Sequence, residues 1–135
     1  MSFDLDDKVI DYIEQAVKLP VPLETGRQDQ SGPAIIYIMQ PMQKYTRYYN
    51  GRVKRSFAFQ IAAKLPRMEE AIQVLNDINS AIERAKPGDI NSASGSFCFR
   101  NAQMTQNPSY KDTIEDAGVT YSVYAASFEV EVIIN

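Results

Sequence analysis

Asn50-Gly51 stands between two β-prone runs, and no other feature of the chain constrains its fold as tightly. A two-residue type I′ turn needs positive φ at both central positions, which Asn and Gly tolerate best, so the pair predicts a long β-hairpin over residues 43–64. Tyr45, Tyr48 and Tyr49 lie on the incoming arm. On the outgoing arm Phe57, Phe59, Ile61 and Ala63 alternate with Ser56, Ala58, Gln60 and Ala62. That period of two puts the first set on one face of a strand, and that face belongs in the core.

The tip of this hairpin gathers Lys44, Arg47, Arg52, Lys54 and Arg55 among its tyrosines, in a chain of net charge −3. Cations at a strand edge blunt unwanted self-pairing. Tyrosine and arginine are also the residue types that carry binding energy at protein interfaces. The tip therefore reads either as ordinary surface charge or as a contact surface. Cations and tyrosines would equally suit phosphate and base stacking, but the chain is acidic overall and has no RNA-binding signature.

At 135 residues the chain fits one domain, 1–135, large enough to bury a core without staples. Cys98 is the sole cysteine, so no intrachain disulfide forms, and a reducing cytoplasmic setting fits. Its neighbours Phe97 and Phe99 start a strand that leaves Cys98 on the opposite face. The first residues lack the basic and apolar regions of a secretory leader, and no apolar run approaches the length of a bilayer span. Histidine is absent, which removes the commonest general base, the commonest metal ligand and every Ser-His or Cys-His nucleophile.

Residues 4–18 predict a first helix with Leu5, Val9, Tyr12, Ile13, Ala16 and Val17 as its apolar stripe. Asp4, Asp6 and Asp7 crowd its first turn, where carboxylates oppose the helix dipole. Residues 21–32 read as a polar connector, and the β-branched run 34–39 as a strand covered on both faces. Pro41 breaks or bulges that strand, so 34–49 forms one long kinked arm. Residues 66–85 predict a second helix that buries Met68, Ala71, Ile72, Leu75, Ile78 and Ile82 and stops at Pro87-Gly88. A strand from Phe97 reaches Met104, a second polar loop with a turn at Asn107-Pro108 covers 105–116, and a last strand covers 119–134. In that strand the apolar set shifts from odd positions (Val119, Tyr121, Val123, Ala125) to even ones (Phe128, Val130, Val132, Ile134), which predicts a bulge at Ala126-Ser127. The expected fold class is α+β: a mostly antiparallel sheet of four to five strands with a long hairpin and two helices packed on one face.

Glu129 and Glu131 share one face of the last strand and form the one carboxylate pair on a firm element. Such a pair could act as acid and base or hold a metal in a small metal-dependent hydrolase. It is equally the solvated face that a half-buried strand requires. Asp112, Glu115 and Asp116 lack the spacing of a calcium loop, and Ser94-Gly95-Ser96 lacks the flanks of a nucleophile elbow. No residue pattern supports catalysis, a cofactor or a metal site.

The order of Tyr45 to Tyr49, Asn50-Gly51, Ser56-Phe57-Ala58-Phe59-Gln60-Ile61 and a helix with Met68-Glu69-Glu70-Ala71 and Leu75-Asn76-Asp77-Ile78 resembles the small minor capsid or tail terminator (tail completion) proteins of long-tailed bacteriophages and prophages. The closing Phe128-Glu129-Val130-Glu131-Val132 is similar too, so the likeness spans most of the chain through structural patterns. The resemblance implies a non-enzymatic α+β structural protein that forms a homo-oligomeric ring, commonly a hexamer. Such a ring caps the tail-tube protein, joins it to the head-tail connector protein and functions in virion assembly. It implies a place in the virion after synthesis in the host bacterial cytoplasm, no membrane partner and at most passive contact with DNA in the channel. On that reading the subunit or tail-tube contact is expected at Tyr45, Arg47, Tyr48, Tyr49, Arg52 and Lys54. The alternatives are a head-side neck connector or stopper subunit, the hydrolase built on Glu129 and Glu131, and a monomeric binding module.

Overall fold

The computed structural model describes residues 5–25, 32–39, 53–86, 88–90 and 97–134, and the backbone at 44–47. Its elements in chain order are α1 (Leu5–Ala16), β1 (Leu23–Thr25), β2 (Ala34–Met39), β3 (Lys44–Arg47), β4 (Val53–Leu65), α2 (Met68–Arg84), β5 (Phe97–Asp116) and β6 (Val119–Ile134). The fold is α+β. The strands form one sheet in the order β1-β2-β4-β6-β5, with β3 on β4 as well. It has six strands rather than four or five, because Leu23–Thr25, read from its polar surroundings as connector, adds a short parallel strand beside β2. All other pairs are antiparallel.

β4 is the central strand. One of its edges pairs with β6 from Val53↔Ile134 to Leu65↔Ser122 without a shift. Its other edge takes β2 at residues 59–64 and β3 at 53–56. The arm from β2 into β3 thus runs along one edge of β4, and Pro41, where a break is expected, lies outside the described residues. Between Met39↔Phe59 and Lys44↔Ser56 it advances five residues while β4 advances three. The hairpin register places Arg47 opposite Val53, centred on residue 50. The expected Asn50-Gly51 turn lies outside the described residues.

Alternation decides the two faces. Phe59, Ile61, Ala63 and Leu65 of β4 join Ile35 and Tyr37 of β2, Phe128, Val130 and Val132 of β6, and Phe97 and Phe99 of β5 in one core under both helices. Tyr37 stacks on Phe59 at 4.7 Å between ring centroids, and Phe59 stacks on Phe128 at 5.3 Å. This three-ring column crosses β2, β4 and β6 at the centre of the sheet. α2 contributes Ala71, Val74, Leu75, Ile78, Ala81 and Ile82. Met68, expected in that stripe, is 46% exposed because it opens the first turn. α1 buries Leu5, Val9, Ile10 and Ile13, while Ala16 at its last turn is exposed. The helices are joined by the Tyr12 hydroxyl, which donates to the Ala81 carbonyl at 2.8 Å. α1 is tied to the sheet by the Tyr37 hydroxyl, which donates to the Asp6 carboxylate. Burial first, then that bond, holds the Tyr37 hydroxyl well above the usual phenol range.

The last two strands depart most from expectation. Residues 105–116 are strand, continuous with the run from Phe97. β5 spends twenty residues against the sixteen of β6, and the surplus enters as four register shifts, one between Gln106 and Ser109 around Pro108. Bulges erase the alternation that marks a strand, and an exposed edge admits both polar residues and proline, so this segment reads as loop. The turn lies instead at Ala117-Gly118, with φ of 51° and 82°, as a two-residue type I′ turn requires. β6 itself has no shift against β4. The apolar set changes parity because Tyr121, Val123 and Ala125 face away from the helices, where Val123 and Ala125 cluster with Ala62, Ile38 and Ile114.

That second cluster forms where the sheet curls. A flat sheet would hold β2 and β5 roughly 14 Å apart across two intervening strands. Yet Asp116, at the end of β5, accepts a hydrogen bond from the Gly32 amide at 2.7 Å, two residues before β2. The same carboxylate lies 3.8 Å from Lys64 Nζ, and Lys64 sits over the Tyr121 ring at 4.9 Å. Bulges increase local twist, and four of them in one strand roll the β5–β6 hairpin over the helix-free face. Small residues, Ala58, Ala62, Ala125 and Ser127, fill the hollow.

Two substitutions test this architecture by urea denaturation. Phe59→Ala removes the middle ring of the column and lowers stability by about 3–5 kcal/mol. Asp116→Ala opens the curl and costs about 1–3 kcal/mol, with faster amide exchange at Gly32.

Candidate functional site

The β3–β4 hairpin is a backbone object before it is a site. Four residue pairs, from Lys44↔Ser56 to Arg47↔Val53, hold its base. The same stretch of β4 pairs with the end of β6, Val53 opposite Ile134 and Arg55 opposite Val132. This places the sequence positions of Lys44, Arg47, Lys54 and Arg55 together at one end of the sheet. Tyr45 and Arg47 lie on β3, where the backbone alone is described. Tyr48, Tyr49 and Arg52 fall outside the described residues, so the tip of the expected contact surface does too.

Lys54 is the expected contact residue whose side chain is described. Its Nζ lies 3.4 Å from a Glu131 carboxylate oxygen, and both side chains are partly exposed. The partner comes from 77 positions away in the chain and from a carboxylate read as part of a separate pair. The signal that could have joined them is parity: even positions of β4 and odd positions of β6 share the helix-free face once the two strands align. Glu129 and Glu131 do share that face, opposite Ala58 and Ser56, and both are half-buried. With Glu131 committed to Lys54, the pair is an ion pair plus a neighbouring carboxylate rather than two facing acids. Among the described residues no group of three His, Cys, Asp or Glu side chains is placed to hold a metal ion.

The clefts on the described surface are shallow. One of about 370 Å³ lies between the end of α1 and α2, lined by Val17, Lys18, Asp77, Ser80 and Arg84. Another, of about 220 Å³, is lined by Lys8, Asp11, Tyr12 and Asp89. Neither encloses apolar surface together with convergent reactive groups, which is what small-molecule sites provide. Cys98 is exposed on the helix-free side of β5, as its position between Phe97 and Phe99 predicts. Among the described residues no helix is long and apolar enough to cross a membrane.

The open features are therefore sheet edges. β3 on one side and β5 on the other have no further strand beyond them among the described residues. β5 presents exposed Lys111, Asp112, Thr113 and Glu115. The acidic end of β5 and the basic base of the hairpin lie at opposite ends of β4. Compared with protein-family models and with curated proteins, the chain matches none.

The carboxylates can be tested directly. An ion pair this exposed is worth up to about 1 kcal/mol, so Glu131→Gln shifts stability by no more than that. Titration calorimetry with magnesium, manganese and calcium should give no binding heat. A heat lost on Glu129→Gln would assign a metal to the pair instead.

Proposed function

We propose that this chain is a non-enzymatic structural subunit of a long-tailed phage or prophage, a tail terminator whose copies form a ring that caps the tail tube and joins it to the head. The observation that carries the proposal is the hairpin: the β2–β3 arm returns through β4, whose phenylalanine-alternating face is core and whose cation-bearing end is bordered by β3, an edge strand among the described residues. What precedes and follows that hairpin, α1 before it and α2, β5 and β6 after it, keeps the element order that the sequence resemblance requires. Ring subunits meet through heterologous contacts, in which one patch faces a different patch of the neighbour. Among the described residues β3 and β5 are edge strands on opposite sides of one sheet, with short β1 a third, and unlike edges offer two such patches.

In this reading the hairpin, with Tyr45, Arg47, Tyr48, Tyr49, Arg52 and Lys54, meets a neighbouring copy or the tail tube. Light scattering over a concentration series, with negative-stain microscopy of the largest species and of tail tubes incubated with the protein, tests it. The expected outcome is a ring, alone or on tube ends. The triple variant Arg47→Glu, Arg52→Glu, Lys54→Glu keeps the wild-type circular dichroism spectrum and associates at least about tenfold more weakly. Failure to form rings alone and failure to bind tube ends would together overturn the reading.

A further inference from the structure

The geometry points to a specific acceptor for the hairpin: the outer edge of β5 at its acidic end, residues Asp112–Asp116, receives the β3 edge of a second copy as an added strand. This inference rests on the ring reading above and names the surfaces that close the ring.

The Ala117-Gly118 turn fixes which backbone groups of β5 face outward. Asp116 lies opposite Val119 across the two-residue Ala117-Gly118 turn. Residues that flank such a turn exchange both backbone hydrogen bonds, and the direction then alternates along the strand. Asp116, Ile114 and Asp112 therefore bond to β6, while Glu115 and Thr113 turn their N–H and C=O groups to the open edge, where the Thr113 N–H donates to the Asp112 carboxylate at 2.8 Å and a carbonyl of an added strand would take the carboxylate's place. From Asp112 to Asp116 β5 holds one unbroken register with β6, its longest run beyond the four shifts. The earlier part of β5 is a poor template, since bulges kink it and Pro108 lacks a donor. The end of β5 is thus regular enough to accept a strand, and no further strand lies beyond it among the described residues.

Charge selects the occupant. Asp112 and Glu115 are exposed on the two sides of this edge, with Lys111 beyond the last shift. β3, an edge strand on the other side of the sheet among the described residues, carries Lys44 and Arg47 and borders Lys54 and Arg55. A second copy of the chain therefore offers the complementary edge, whereas β5 against β5 would set carboxylates against carboxylates. Because the two edges lie on opposite sides of the sheet and toward opposite ends of β4, the contact is heterologous and staggered along the strands.

Charge reversal separates this contact from every other. One variant carries Lys44→Glu and Arg47→Glu; the other carries Asp112→Lys and Glu115→Lys. Both should keep the wild-type melting curve, and each alone should associate at least about tenfold more weakly than wild type. Mixed in equal amounts they should regain assembly, because each reversed edge then meets its complement on the other variant. Zero-length carbodiimide coupling of the wild type should link Lys44 of one copy to Asp112 or Glu115 of the next. Rings that form normally from either variant alone would overturn the contact and leave the ring reading standing. Loss of assembly without recovery on mixing would overturn the pairing of these two edges. A wild type that stays monomeric, uncoupled and off tube ends would overturn both.

Discussion

Every layer of this protein depends on β4 being paired along both edges and covered on both faces. Beyond its partly exposed first residues, 53–55, a strand in that position has little solvent side, so each residue must be apolar, small or supplied with a polar partner. Its sequence meets the condition in two ways. Phe59, Ile61, Ala63 and Leu65 fill the helix side, and Ser56, Ala58 and Ala62 are small enough for the opposite face to close over them. Lys64 is 5% exposed, and it is held by Asp116 and the Tyr121 ring. The Tyr37–Phe59–Phe128 column fixes the relative positions of three strands, and the hydroxyl of its first ring fixes α1 through Asp6.

The curl of the sheet is the second consequence. A twenty-residue strand paired with a sixteen-residue one must bulge, and bulges twist. The twist brings Asp116 across to Gly32 and leaves β5 with two unlike halves: one kinked and unsuited to pairing, one regular beside the turn. The same surplus that closes the hollow face therefore leaves a defined pairing edge at its end. Among the described residues the clefts are shallow and the carboxylates scattered, and sheet edges are open to solvent. Such edges are the kind of surface at which strand-addition contacts gain affinity from backbone and register from side chains.

Local signals were legible wherever one face of an element is buried and the other is wet. Both helices and the arms of the β3–β4 hairpin follow from their periodicity, and the placement of Cys98 follows from its two phenylalanines. Legibility failed for two physical reasons. In β5 the inserted residues reset the alternation every few positions, so a strand looks like a polar loop with a proline turn. In β6 the helix-free face is the better buried near the turn, at Tyr121 and Val123, and the helix face beyond it, at Phe128, Val130 and Val132, so a change of parity that looks like a bulge is a change in which face has cover. Met68 shows a smaller version: a helix stripe says which side faces inward but not how far the sheet beneath extends. For the candidate site, residue types and hairpin were readable, while the pairing of Lys54 with Glu131 was not, because it joins strands far apart in the chain.

The α+β class, the two amphipathic helices, the phenylalanine-alternating strand and the run of cations around Asn50-Gly51 can be read from the amino-acid order, since each is written in residues a few positions apart. The strand order, the parallel β1, the roll of β5–β6 and the placement of β3 and β5 at opposite edges among the described residues come from the assembled sheet. Those depend on register between distant segments, and register is set by bulges, by cover on a second face and by single contacts such as Asp116 with Gly32, none of which leaves a local periodic trace.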